Sequence, residues 1–208
     1  TLDRLLGEHT ALAGLAMRAT LENADDTRAA IRTLNDNAQQ IEASIGEIYG
    51  AEAQATFRAL WRAHIAYYLD YVRATRDRDA GAQNAALSAL SSYETAFTRF
   101  LAEANPHLSR RPLQRLVHMH TMHLVHRVDA FAGGDYAAAY EMGRTGFRHT
   151  GLMAAALGAA ISEQFPQVFP DTATSATRSD APLLWGVMLL LTAGVVAVQR
   201  SYRRGVVT

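Results

Sequence analysis

Two residue types are missing from this 208-residue chain, and each absence excludes a class of function. Cysteine is absent, which excludes disulfide bridges, thiolate zinc sites, iron–sulfur clusters and covalently attached c-type haem. Lysine is also absent, so arginine supplies every basic side chain, and the formal net charge is zero. The arginines are scattered without forming a basic stripe, and this distribution argues against binding to DNA or RNA.

Signatures of common enzyme chemistry are missing as well. The chain contains no glycine-rich phosphate loop and no nucleophile elbow. It also lacks the Glu-x-x-His motif that ferritin-like di-iron centres place on two helices. The sequence therefore favours a binding or structural protein over an enzyme.

The C-terminal part of the sequence predicts a membrane anchor. Residues 181–198 read APLLWGVMLLLTAGVVAV, eighteen residues without a charged side chain, which is near the minimum length for crossing a bilayer. Arg200, Arg203 and Arg204 follow this run, and the positive-inside rule puts them in the cytoplasm. We expect a removed signal peptide and four regions: an extracytoplasmic helical bundle (1–166), a flexible Thr/Ser/Ala-rich linker (167–180), a transmembrane helix (181–199) and a cytoplasmic tail (200–208).

The body of the chain has helical periodicity almost throughout. Alanine and leucine dominate it, runs of β-branched residues are missing, and short turns rich in Asn, Asp and Gly interrupt the pattern. These turns predict an all-α fold of six helices, at 2–22, 26–48, 51–76, 80–103, 110–132 and 135–164.

A weak internal repeat divides these helices into three helical hairpins. His9, His64 and His120 occupy equivalent positions, 55 and 56 residues apart. Each lies on a helix that is followed by an Asp-containing turn and then by a helix that opens with alanines. The predicted architecture is a bundle of three hairpins plus the C-terminal transmembrane helix.

Each of these three histidines falls within an apolar stripe of its helix and is expected to be buried. If the hairpins pack around a common axis, the three rings converge on one metal ion, with His149 or a methionine as the fourth ligand. If the hairpins stack in a row, the rings stay apart and each bonds to a local neighbour. Imidazole and thioether without thiolate favour copper over zinc, and b-type haem is a further alternative. The candidate ligands are His9, His64, His120, His149, Met17 and Met153.

The segment HMHTMHLVH, residues 118–126, predicts a second candidate site. On a helix His118, Met122 and His126 fall at successive turns and form one stripe. This stripe is a candidate surface site of His/Met type for loading a metal. A partly solvated face and a pH-responsive face are the alternatives, since histidine titrates near neutrality.

Several segments resemble a known family when taken together: LGEHTALAGLAMRA (6–19), LWRAHIAYYLDY (60–71), FLAEANPHL (100–108), DAFAGGDYAAAY (129–140) and ISEQFP (161–166). The chain resembles secreted or membrane-anchored all-helical proteins of actinobacteria and related bacteria, which are mostly uncharacterised and sometimes described as copper-related. This resemblance implies a helical fold and export. It also implies that histidine is common at the positions of His9, His64, His120 and His149, whereas His118, His123 and His126 have no counterpart in it.

The function expected from the sequence is extracytoplasmic binding of a transition metal, most simply copper, by a membrane-anchored helical bundle. Storage, delivery or support of a neighbouring membrane complex would each fit this chemistry. The alternatives are a non-catalytic structural or accessory subunit of a membrane assembly, in which the histidines only bond within the core, and a haem-binding or ligand-sensing bundle. No nucleic-acid partner is expected.

Overall fold

The computed structural model describes residues 2–168, and the described part of the chain is all-helical. It contains five α-helices in the described range: α1 (Leu2–Glu22), α2 (Thr27–Asp77), α3 (Ala80–Ala104), α4 (Arg110–Ala132) and α5 (Tyr136–Gln164). The predicted all-α class is therefore confirmed. A compact unit spans Thr1–Gln164, and in the remainder the described stretch is a short turn in which the Val168 amide donates to the Phe165 carbonyl at 3.0 Å.

The predicted count of six helices is not supported, because the second and third predicted helices form one element, α2. The predicted break at Tyr49–Gly50 is nevertheless a feature of this element. Gly50 has φ 83° and ψ 175°, which is outside the helical region. Only glycine adopts this backbone conformation without strain. The chain therefore changes direction at one residue without an intervening loop.

The two arms of α2, residues 27–49 and 51–77, fold back on each other across Gly50. The carboxylate of Glu42 accepts hydrogen bonds from Arg58 Nε at 3.1 Å and from Arg62 Nε at 2.7 Å. In a straight helix, residues 42 and 62 would be about 30 Å apart. Glu42 is almost fully buried, so its charge requires these partners. The ion pairs hold the second arm beside the first.

The five helices pack against one another in a cyclic order. Each helix packs against the next in the chain, α5 returns to α1, and α2 also contacts α4. The core between them is built from aliphatic and aromatic side chains, of which Leu34, Ile41, Val72, Val117 and Val128 are essentially inaccessible to solvent. This closed arrangement surrounds a common interior, and it brings α1, the second arm of α2, and α4 together there.

Aspartates at the predicted turns start two of the helices. The Asp79 carboxylate accepts the amide of Ala82 at 2.9 Å at the start of α3. Asp135 accepts the amide of Ala138 at 3.0 Å at the start of α5. Both interactions satisfy amides that have no partner within the first turn of a helix. These short turns keep α2 against α3 and α4 against α5.

The predicted transmembrane helix, 181–199, lies outside the described residues, as do the cytoplasmic tail and most of the linker. None of the helices within residues 2–168 combines the length and the apolar character needed to span a bilayer. The membrane anchor therefore remains a prediction from the sequence.

Replacing Gly50 with alanine tests the backbone reversal. No atom lies within 4 Å of the position that the new Cβ would occupy, so the cost comes from the backbone conformation alone. We expect Gly50→Ala to lower the free energy of unfolding by about 1–3 kcal/mol in chemical denaturation.

The matched control is Gly151→Ala, in the middle of α5, where the added Cβ also meets open space. Alanine is favoured over glycine in a helix, so this variant should gain up to about 1 kcal/mol. Equal effects of the two substitutions would contradict the role assigned to Gly50.

Candidate metal centre

His9 and His64 lie side by side in the interior of the bundle. His9 belongs to α1 and His64 to the second arm of α2, and their ring centroids are 5.5 Å apart. Their exposed fractions are only 4% and 5%. Two of the three histidines that the repeat relates are thus in direct proximity, although 55 residues separate them in the chain.

The spacing of these two rings suits shared coordination of one ion. Imidazole nitrogens bind metals such as zinc at about 2.0–2.1 Å, and two rings at tetrahedral angles then have centres about 5 Å apart. The observed separation of 5.5 Å is close to that value. The distance between the ring centres is therefore compatible with both rings binding one ion.

A hydrogen-bond network orients the His9 ring. Its Nδ1 lies 3.2 Å from Oδ1 of Asn37, in the first arm of α2. The Asn37 amide nitrogen donates to the Leu5 carbonyl at 3.1 Å and to Glu8 Oε2 at 3.2 Å, which fixes the amide so that its oxygen faces His9. Because that oxygen accepts, Nδ1 of His9 carries the proton and Nε2 keeps its lone pair. Histidine ligands of metals are commonly held by such a second bond.

His64 is enclosed by aromatic rings. The Tyr93 ring stacks on it at 5.0 Å, and the Trp61 ring meets it edge-on at 4.6 Å. No hydrogen bond of good geometry reaches its buried Nδ1, although a weaker contact between the ring and the Trp61 backbone partly opposes the lowering of its pKa. An unpartnered polar atom in such surroundings costs about 1–3 kcal/mol. The His64 ring is therefore less completely satisfied than the His9 ring.

A small cavity of about 60 Å³ adjoins these rings, and His9, His64, His120 and Met153 all contribute to its lining. This volume is sufficient for an ion with one or two water molecules. The hydroxyl of Thr150, also in the lining, donates to the Gly146 carbonyl at 3.0 Å and lies 3.5 Å from Nδ1 of His120. The same hydroxyl lies 3.0 Å from the hydroxyl of Thr10, so it belongs to a small polar network beside the His120 ring.

Burial keeps these histidines neutral. It lowers the pKa of His9 to about 4, an effect that the Asn37 bond opposes in part. Burial, reinforced by the other imidazoles, lowers the pKa of His120 to about 3. The pKa of His64 is also well below its usual range, for the same reasons. Only neutral imidazole has a lone pair for a metal, so these histidines are in the protonation state that can bind a metal at neutral pH.

The remaining candidate ligands have other surroundings. His149 lies beside His123, with ring centroids 5.2 Å apart, and its Nε2 donates to the Leu116 carbonyl at 2.8 Å. Met17 is buried in the core but is not among the described residues that line the cavity.

The three residues of the predicted surface stripe have different surroundings. Nδ1 of His118 donates to the buried carboxylate of Glu94 at 3.0 Å, Met122 packs against the core, and His126 is exposed.

In residues 2–168, no three imidazole, carboxylate or thiol groups are close enough together to hold a metal on those ligands alone. His9 and His64 form the close pair, while His120 and Met153 approach the same cavity from α4 and α5. The geometry corresponds to a two-imidazole site with a third donor nearby, rather than to a preformed three-histidine cluster.

Two features of the site were not predicted from the sequence: the support of His9 by Asn37 and the pairing of His123 with His149. The position of Asn37 in the sequence could have indicated its role. It lies between Leu34 and Ile41 on the buried stripe of α2, where an amide needs a specific hydrogen-bond partner. The pairing of His123 with His149 depends on how α4 packs against α5, and no spacing in the sequence encodes that distance.

Comparison of the chain with protein-family models, with curated proteins and with solved structures gave no match. The family resemblance drawn from the sequence therefore remains a prediction.

Acidification should destabilise the bundle. Histidine in an unfolded chain has a pKa of about 6.5, so below that pH the unfolded chain takes up protons that buried, neutral His9 and His120 refuse. The contribution of these neutral histidines to stability is fully present above about pH 6.5. It is lost as the pH falls toward their pKa values in the folded protein. For His9 alone the loss between pH 6.5 and 4 is about 3 kcal/mol.

Urea denaturation at a series of pH values measures this dependence. The free energy of unfolding should fall less steeply with decreasing pH in His9→Gln than in the control His107→Gln. The control changes a more exposed histidine in the turn between α3 and α4. A free energy of unfolding that stays constant between about pH 7 and about pH 4 would contradict the burial of neutral imidazoles.

Proposed function

We propose that the helical bundle binds a copper ion in its interior through His9 and His64, with His120 and Met153 as further donors. The observation that carries the proposal is the pair of buried, neutral imidazoles whose ring centres are 5.5 Å apart beside a shared cavity. Binding would give the His64 ring a stronger partner than its weak contact with the Trp61 backbone.

The chemistry of the lining favours Cu(I) over a divalent ion. No carboxylate is present among the described residues that line the cavity, so two positive charges would be uncompensated in an apolar interior. A monovalent ion reduces that cost. Met153 supplies a thioether, a soft ligand that suits Cu(I). Zinc usually takes three or four protein ligands, so two imidazoles would leave its coordination less complete than that of Cu(I).

The rival functions are less well supported by these contacts. A purely structural role explains the bond between His9 and Asn37, but it leaves the buried Nδ1 of His64 with no more than a poor contact to the Trp61 backbone. Haem requires a wide slot between helices, and typical pockets for organic ligands are about 300–1,000 Å³, far larger than the space beside these rings. We retain the structural role as the outcome that a negative experiment would indicate.

The proposed biological role is storage or delivery of copper outside the cytoplasm, or support of a neighbouring membrane complex. The location depends on the membrane anchor that the sequence predicts at 181–199. A deeply buried ion favours retention over rapid exchange, so storage or slow delivery suits the site better than fast transfer.

Titration of the full chain with Cu(I), in competition with a chromophoric Cu(I) chelator, tests the proposal. We expect the wild-type protein to withdraw copper from the chelator and His64→Ala to lower the affinity by about 100-fold or more, because one of two close ligands is lost. Helical content, from circular dichroism, establishes whether the variant folds.

Two further variants make the result specific. His64→Gln keeps polarity and most of the volume while removing the imidazole, so it should lose copper as His64→Ala does. His107→Ala removes a histidine outside the cavity, bonded to Glu163, and should retain wild-type affinity. Folded His64 variants with unchanged affinity, or a wild-type chain that takes no Cu(I), would overturn the proposal.

A further inference from the structure

A second pair of imidazoles lies between α4 and α5. The rings of His123 and His149 are 5.2 Å apart and nearly perpendicular. Gly146, one turn before His149, faces His123, since a Cβ there would be in ordinary contact with the His123 Cβ at 3.6 Å. The separation of the two rings again matches two ligands of one ion.

The His149 ring presents a lone pair that no protein group uses. Its Nε2 lies 2.8 Å from the Leu116 carbonyl, which can only accept, so the ring proton is on Nε2 and Nδ1 is unprotonated. That Nδ1 is buried and has no hydrogen-bond partner, and the same holds for Nδ1 of His123. His149 as a whole is 3% exposed. Two unpartnered buried nitrogens in one pair of rings point to a ligand, and Nδ1 of His149 has an electron pair available for it.

Helix α4 carries three histidines at successive turns around this pair. His120, which lines the interior cavity, lies one turn before His123. The exposed His126 lies one turn after it. One helix therefore carries an imidazole at the cavity, one in the second pair and one at the surface.

The second pair of rings lacks a compensating negative charge, which favours a monovalent ion over a divalent one. No glutamate or aspartate bonds to either ring of the pair among the described residues.

We propose that His123 and His149 form a second Cu(I) position, which receives the ion near the surface of α4 and passes it to the interior site. This inference rests on the proposed copper function and adds to it a second equivalent and a loading route. No redox step is involved, because the ion stays Cu(I) and only exchanges ligands.

Stoichiometry and loading kinetics of the full chain test this position. With Cu(I) supplied from the chelator, we expect two equivalents in the wild type and one in His149→Gln and in His123→Gln. Filling of the remaining interior site, followed by stopped flow, should slow by about tenfold or more in both variants. His107→Gln serves as the control and should bind two equivalents at the wild-type rate.

The outcomes separate this inference from the proposed function. A single equivalent that is lost in His64→Gln but kept in His149→Gln overturns the second position and leaves the interior site. A single equivalent that is lost in His149→Gln but kept in His64→Gln supports the second position and overturns the interior one. Two equivalents retained in folded His123→Gln and His149→Gln would reduce the pair to ordinary ring packing.

Discussion

The reversal of α2 at Gly50 is the constraint on which the interior depends. The two arms of this helix lie side by side because one glycine adopts a positive φ and because buried Glu42 bonds to Arg58 and Arg62 across the bend. The first arm then supplies Asn37, and the second arm supplies His64, to the same region of α1. A straight helix would place these residues about 40 Å apart, and neither the support of His9 nor its pairing with His64 would form.

Desolvation gives this interior its chemistry. Burial disfavours protonation, so the imidazoles stay neutral and keep lone pairs that a solvent-exposed histidine would share with protons near pH 6.5. Aromatic rings from Trp61 and Tyr93 exclude water from His64. The same burial makes every unpartnered nitrogen costly, and the proposed copper ion would offset that cost. The free ligand site would then lower the stability of the fold while favouring ligand binding, as in many functional centres.

Prediction from the sequence succeeded where local rules apply. Apolar spacing and turn residues placed the helices within a few residues of their observed bounds, and the Asp residues of the turns do start α3 and α5. The histidine repeat correctly indicated buried positions for His9 and His64. Prediction failed on the number of helices, because a single non-helical glycine bends a helix without ending it. It also did not anticipate that His149 would pair with His123, since that contact depends on the rotation of α5 against α4.

The amino-acid sequence alone determined the all-α class, the absence of thiolate ligands, and the placing of His9 and His64 on buried helix faces. Composition and helical periodicity suffice for these properties, because each depends on residue type or on neighbours within one or two helical turns. Tertiary structure alone decided which imidazoles became neighbours, which nitrogen of His9 and of His149 kept its lone pair, and how much space lies beside the interior pair. Those properties arise from distances between helices far apart in the chain, and only the packing of the whole bundle sets them.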